Sequence, residues 1–184
     1  EGFHPPLVVT GSDFRFVATE QLADADLKPG PILIEPEARN TAPAILAAAL
    51  TLSRSDPEAI MLVAPSDHAI PKPDAFRAAV VSGLETVREG RIVTFGITPD
   101  QPATGYGYIK AQLNEGTATP QKISQFVEKP SAEVAQQYLD SGEYVWNSGI
   151  FMFQSTSFLN ELQSLRPDIH SSCEEAWKGK TSDM

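Results

Sequence analysis

Short β-branched runs alternate along this chain with stretches in which apolar residues recur at helical spacing, the pattern expected of βαβ units. PLVV (6–9) is the first predicted strand, and Ser12 is the expected cap of a helix reaching about Leu22. PILIE (31–35) forms a second strand. It precedes an alanine-rich helix that Asn40 or Thr41 would cap and that ends near Ser53. Pro43 suits the first turn, where a missing N–H breaks no intrahelical bond. AIMLVA (59–64) is continuous and apolar, the mark of a central strand buried on both faces, and it stops at PSDH. Phe76, Val80, Leu84 and Val87 then recur at helical spacing, with Gly90 as the stop before strand RIVTFGI (91–97).

After the loop TPDQPATGYG, the segments YIKAQL and KISQFVEKP read as two strands joined by the polar NEGTATP. Ser131 caps a short helix, and GIFMF (149–153) is another buried strand. Ser155 or Thr156 starts a helix that uses Phe158 and Leu162, and the chain is expected to be helical again up to Trp177. With no internal repeat, low-complexity tract or linker, residues 1–184 read as a single domain of α/β class, helices flanking a mixed, mostly parallel sheet.

Composition narrows the functions open to such a fold. Hydrophobic residues at 41% and charged residues at 21% give the balance of a globular chain with a sizeable core. No run approaches the roughly 18 apolar residues that cross a bilayer. EGFHPPLVV lacks a signal peptide's basic region, so the expected partners include no membrane and the expected location is the cytoplasm. A net charge of −10 argues against nucleic-acid binding, which needs a basic face; an anionic ligand would require local positive charge. The lone Cys173 cannot form an internal disulfide, and His4, His68 and His170 lack metal-ligand spacing.

Open α/β sheets bind ligands outside the carboxyl ends of their strands, and five segments are expected there: EPEARNT, PSDH, TGYGY, EKP and WNSG. Asp67 is either a turn residue or, at the exit of a buried strand, a carboxylate placed to hold Mg²⁺ together with phosphate oxygens and water. Lys129 is either a surface partner of Glu128 or a phosphate anchor aimed by Pro130, which biases the preceding backbone to the extended region. Gly105 and Gly107 are loop hinges or points of close backbone approach to a ligand. Asn147 either completes a turn or exchanges hydrogen bonds with sugar hydroxyls. EPEARNT carries more hydrogen-bonding groups than a helix cap requires.

In this order, ILIEPEARNTAPAILAAA, MLVAPSDHAI, GYGYI, FVEKP and WNSGIFMF resemble the mannose-1-phosphate guanylyltransferases of bacterial polysaccharide synthesis, members of the sugar-nucleotidyltransferase superfamily. The likeness runs through nearly the whole chain and is greatest to the long bacterial type, often fused to a phosphomannose isomerase domain. It implies a Rossmann-like nucleotide-diphospho-sugar transferase fold, incomplete at both ends. By the same resemblance, Glu35, Asn40 and Thr41, in the loop that ends at Ala42, would recognise guanine, and Asp67 would ligate Mg²⁺ or Mn²⁺. Gly105 and Gly107 would approach the mannose, Glu128 and Asn147 would bond its hydroxyls, and Lys129 would neutralise the sugar phosphate.

The reaction implied is attack of a mannose-1-phosphate oxygen on the α-phosphorus of GTP, giving GDP-mannose and pyrophosphate. Superfamily members often form dimers, so a homodimer is carried as an expectation. Family members open with a strand and a glycine-rich loop, GGxGTRLxPLS, that cradles the triphosphate; these 184 residues contain no such motif and are expected to be an internal part of the catalytic domain with little guanylyl transfer alone. Two alternatives are another sugar-1-phosphate nucleotidyltransferase and a non-catalytic nucleotide-sugar-binding module.

Overall fold

The computed structural model describes residues 2–111 and 119–179. In chain order the elements are β1 (Val8–Gly11), a 3-10 turn (Ser12–Phe14), α1 (Arg15–Asp24), β2 (Ile32–Glu35), α2 (Thr41–Leu52), β3 (Ile60–Val63), α3 (Pro73–Arg88), β4 (Val93–Ile97), β5 (Gly107–Ala111), β6 (Ile123–Glu128), α4 (Ala132–Ser141), β7 (Tyr144–Gln154), α5 (Ser155–Leu165) and α6 (Pro167–Lys178). Most of the segment expected to join β5 and β6 lies outside the described residues. Two compact units result: residues 1–59 with 155–184, and residues 60–154.

In the first unit β1 and β2 pair in parallel, Val8 opposite Ile32 through Gly11 opposite Glu35. α2 buries Ile45, Leu46, Ala48 and Ala49 and packs against α5 and α6. Alanine permits this close approach because its methyl adds little bulk and loses no side-chain entropy. Trp177 closes the packing: its indole N–H donates to Thr51 Oγ1 at 2.9 Å, and the Arg54 guanidinium lies over its ring at 4.2 Å. Two capping expectations change here. Ser12 stands in the 3-10 turn and bonds Asp13, leaving α1 to begin at Arg15 without a side-chain cap. Asn40 does precede α2, but its side chain makes no capping bond.

The second unit is built on β7, longer than expected because WNSG lies inside it. Along β7 run β3 (Ile60 opposite Gln154), β4 (Val93 opposite Met152) and β5 (Tyr108 opposite Trp146), with β6 outside β5. All these pairings are antiparallel, and among the described residues parallel pairing is confined to β1 and β2. The difference from a mostly parallel sheet has a simple cause: β3, β4 and β5 share a direction, but each pairs with β7, which runs the other way. β3 is also not buried on both faces. Among the described residues it pairs with β7 alone, and Met61 is its one buried residue. α3 covers one region of the sheet, packing Val80 and Val87 on Met152, with Phe76 against Phe95 at 5.6 Å. α4, capped by Ser131 as expected, brings Ala135 to Tyr108, Tyr144 and Trp146. Gly90 ends α3 at φ 82°.

Candidate functional site

The midpoint of β7 collects most of the candidates of the second unit. β3 ends at Val63 opposite Phe151, and the chain turns through Pro65, whose Cγ is 3.7 Å from a Cβ built on Gly149, toward Asp67. β5 begins at Gly107 with Tyr108 opposite Trp146, and β6 ends at Glu128 opposite Gly107. Gly107 therefore lies at the amino end of β5, not beyond a carboxyl end, and Asn147 lies within β7. Antiparallel pairing is the reason: the start of β5 is level with the end of β6.

The contacts at this level are close. A Cβ on Gly107 would lie 2.7 Å from Glu128 Oε2 and 2.9 Å from Phe126 Cζ, so only glycine leaves the carboxylate where it is. The Lys129 N–H donates to the Tyr106 carbonyl at 3.2 Å, and the Tyr106 ring, half exposed, meets Trp146 edge-on at 5.0 Å. Apart from its chain neighbours, no described residue lies within 4 Å of a Cβ built on Gly105. Trp146 is buried, and its indole N–H has no partner among the described residues.

Lys129 departs from expectation. The following proline was to hold it extended, yet φ is 47°, the left-handed region. The hydrogen bond to Tyr106 and the strand end that delivers it override the local preference. Asn40 is the other candidate with strained backbone, at φ 68° and ψ −176°, a region that only glycine occupies readily. Three non-glycine residues have positive φ among those described, and two of them are these. Such strain persists where surrounding structure over-determines it, as at binding sites.

Charge at the site is loosely held. Asp67 is 86% exposed, and His68 Nε2 approaches its carboxylate no closer than 3.9 Å. The Lys129 ammonium is 66% exposed and lies 4.0 Å from Glu128. Pairs of this kind contribute little to stability and leave both groups open to a ligand. No group of three or more His, Cys, Asp or Glu that could hold a metal occurs among the described residues. A single open carboxylate nonetheless fits a hard cation that completes its shell with phosphate oxygens and water. Asp67 is the residue that would hold it.

Asn147 is held by its oxygen. Oδ1 accepts from Thr94 Oγ1 at 2.9 Å and from the Gly149 N–H at 3.4 Å. Thr94 gave no sequence signal, since threonine is ordinary in a strand and its partner lies 53 residues on.

Glu35, Asn40, Thr41 and Ala42 belong to the first unit, at the end of β2 and the start of α2. Arg39, beside them, pairs with Glu37, and Glu35 acts on Cys173 of α6: burial pushes the thiol pKa up, and the Glu35 charge adds to it. Arg39, Pro43, Asp168, Ile169, Ser172 and Cys173 line a cavity of about 400 Å³ in this unit, which sequence reasoning did not foresee.

Comparison with known proteins agrees with this architecture. The chain is 47% identical over 180 residues to the xanthan biosynthesis protein XanB of Xanthomonas campestris, covering 98% of this chain and 38% of that protein. It is 45% identical over 184 residues to the mannose-1-phosphate guanylyltransferase of Escherichia coli K12, covering 97% and 38%. The chain thus spans about two fifths of the length of these relatives. A crystal structure titled mannose-6-phosphate isomerase from Helicobacter pylori superposes with a TM-score of 0.84 at 34% identity, over 95% of this chain and 65% of that one. The Nucleotidyl transferase family profile matches residues 1–184, and the chain belongs to that family.

Proposed function

We propose that this chain carries sugar-phosphate and nucleotide recognition for guanylyl transfer from GTP to mannose-1-phosphate. The observation that supports the reading best is the meeting of the Gly107–Glu128 pair, Lys129 and Asn147 at the level of β7 toward which the strand before Asp67 also leads. In the reaction, a phosphate oxygen of mannose-1-phosphate forms a bond to the α-phosphorus of GTP. The α–β bridging bond breaks, and pyrophosphate leaves with the electron pair. Mg²⁺ or Mn²⁺, when bound, neutralises phosphate charge and orients the groups.

The residues do the remaining work by position and charge. Lys129 neutralises the attacking sugar phosphate, with its backbone pinned to Tyr106. Glu128 and Asn147 bond sugar hydroxyls, and the bare backbone of Gly105 and Gly107 lets the hexose approach. Asp67 holds the cation. Glu35, Asn40, Thr41 and the amide of Ala42 read the donor and acceptor edge of guanine. A homodimer in the cytoplasm belongs to the same reading, as the superfamily resemblance implies.

The test is ligand selectivity. A ligand at 100 times its dissociation constant stabilises the native state by about 2.7 kcal/mol. GDP-mannose is therefore expected to raise the melting temperature well above the effect of UDP-glucose at equal concentration, and Lys129→Met is expected to remove most of that difference. Equal stabilisation by the two nucleotide sugars would point to a different sugar nucleotide, and no stabilisation by either would end the reading.

A further inference from the structure

The middle of β7 is bulged. Thr94 pairs with Phe151 and Gly96 with Asn147, so one residue of β4, Phe95, faces three of β7, Ser148, Gly149 and Ile150. Bulges re-aim side chains, and they persist only where other bonds replace the broken ladder. Here the replacements are side chains. Thr94 Oγ1 lies 2.9 Å from Asn147 Oδ1 and 3.1 Å from the Ile150 carbonyl, so its single proton is shared between acceptors at the two ends of the bulge. Ser148 Oγ accepts from the Ile150 N–H at 3.1 Å, and Gly149 supplies φ 73°.

We propose that Thr94 is a positioning residue: its hydroxyl clasps the bulge and turns the Asn147 carboxamide so that the NH2 group, not the carbonyl, faces a ligand oxygen. This rests on the reading above, in which Asn147 meets the sugar. The orientation follows from the donors. A hydroxyl could give or take a proton, so Thr94 alone leaves the carboxamide free to flip; the Gly149 N–H is only a donor, and at 3.4 Å it requires the oxygen on its side. With the oxygen on the side of the Gly149 N–H and of the Thr94 proton it shares with the Ile150 carbonyl, the NH2 has no partner among the described residues, and Asn147 is only half-buried. The group recognised is therefore an acceptor, such as a hydroxyl oxygen of a hexose. It is not a group that can only donate.

Two measurements on the 184-residue chain test this. The first needs no ligand: in nuclear Overhauser spectra the Gly149 amide proton should show at most a weak contact to the Asn147 carboxamide protons. A strong one would put nitrogen where oxygen is assigned and overturn the orientation. The second is titration with mannose-1-phosphate. Thr94→Val keeps shape and strand preference but loses the hydroxyl, and should weaken binding about three- to tenfold, the scale of one net hydrogen bond. Thr94→Ser should restore it, and in the Asn147→Ala background Thr94→Val should add nothing. Unchanged affinity in Thr94→Val, or an equal further loss without Asn147, overturns the positioning role. No binding by the unaltered chain overturns the assignment of a sugar to Asn147, and the spectra still decide the orientation by themselves.

Discussion

Lys129, proposed as the sugar-phosphate anchor, is held against its own conformational preference. A lysine at φ 47° before a proline is disfavoured twice, by its Cβ and by the following ring. Lys129→Gly should therefore raise stability by about 0.5–1 kcal/mol, read from denaturant titration, while lowering affinity for mannose-1-phosphate. A loss of both would mean that Lys129 is structural. Asn40 invites the same experiment in the first unit: Asn40→Gly should be tolerated and Asn40→Ala should cost roughly 1–3 kcal/mol, because its ψ of −176° at φ 68° suits glycine alone. Cys173 gives a pH test. Burial first, and then the Glu35 charge, hold its thiol above the ordinary range, so less thiolate forms at neutral pH. Alkylation should be slow near pH 7, accelerate only above the usual thiol range, and move to lower pH in Glu35→Gln.

At the scale of elements, what the sequence revealed and what it hid divide by the range of the interaction. Ser131 at the start of α4, Gly90 after α3 and the periodicity of Phe76, Val80, Leu84 and Val87 are local signals, and the structure keeps them. The extent of β7 was hidden because Asn147, Ser148 and Gly149 read as a turn. They are instead a bulge stitched by Thr94 from another strand, and no window of neighbouring residues contains that bond. The candidate residues are named by family likeness, and local spacing alone left each of them with an ordinary turn or surface reading. The left-handed Lys129 was not legible, since its cause is a strand pairing. Gly107→Ala probes the β5–β6 end: the added Cβ would meet the ends of the Glu128 and Phe126 side chains, which can move, so melting should change little while sugar-phosphate affinity falls. α6 carries an acid-labile fastening. The Arg166 guanidinium grips both Asp168 carboxylate oxygens, at 2.9 and 2.7 Å, and this hydrogen bonding lowers the Asp168 pKa from 3.8 to about 2. A lowered carboxyl pKa gives stability that is present above the unfolded value and lost as pH falls through the folded one. The Asp168 carboxyl resonance should thus titrate near 2, and in Arg166→Met it should return toward 3.8.

For the whole molecule, the candidates fall in two units, with Glu35 and residues 40–42 in one and Asp67, Gly105, Gly107, Glu128, Lys129 and Asn147 in the other. Hydrogen exchange should report them separately, mannose-1-phosphate slowing amides around 106–108, 127–129 and 147–149, and GDP slowing those around 35–42. The net charge of −10 makes the exposed Lys129 ammonium locally valuable, so added salt should weaken sugar-phosphate binding. The chain's two tryptophans divide in the same way, one to each unit. Trp146 sits under the Tyr106 ring in an aromatic cluster, whereas Trp177 donates to Thr51 beneath Arg54. The molecule is thereby fitted with two native fluorophores in unlike surroundings. Sugar phosphate should shift the emission that survives in Trp177→Phe and leave untouched the emission that survives in Trp146→Phe, so occupancy can be watched by light with no dye attached.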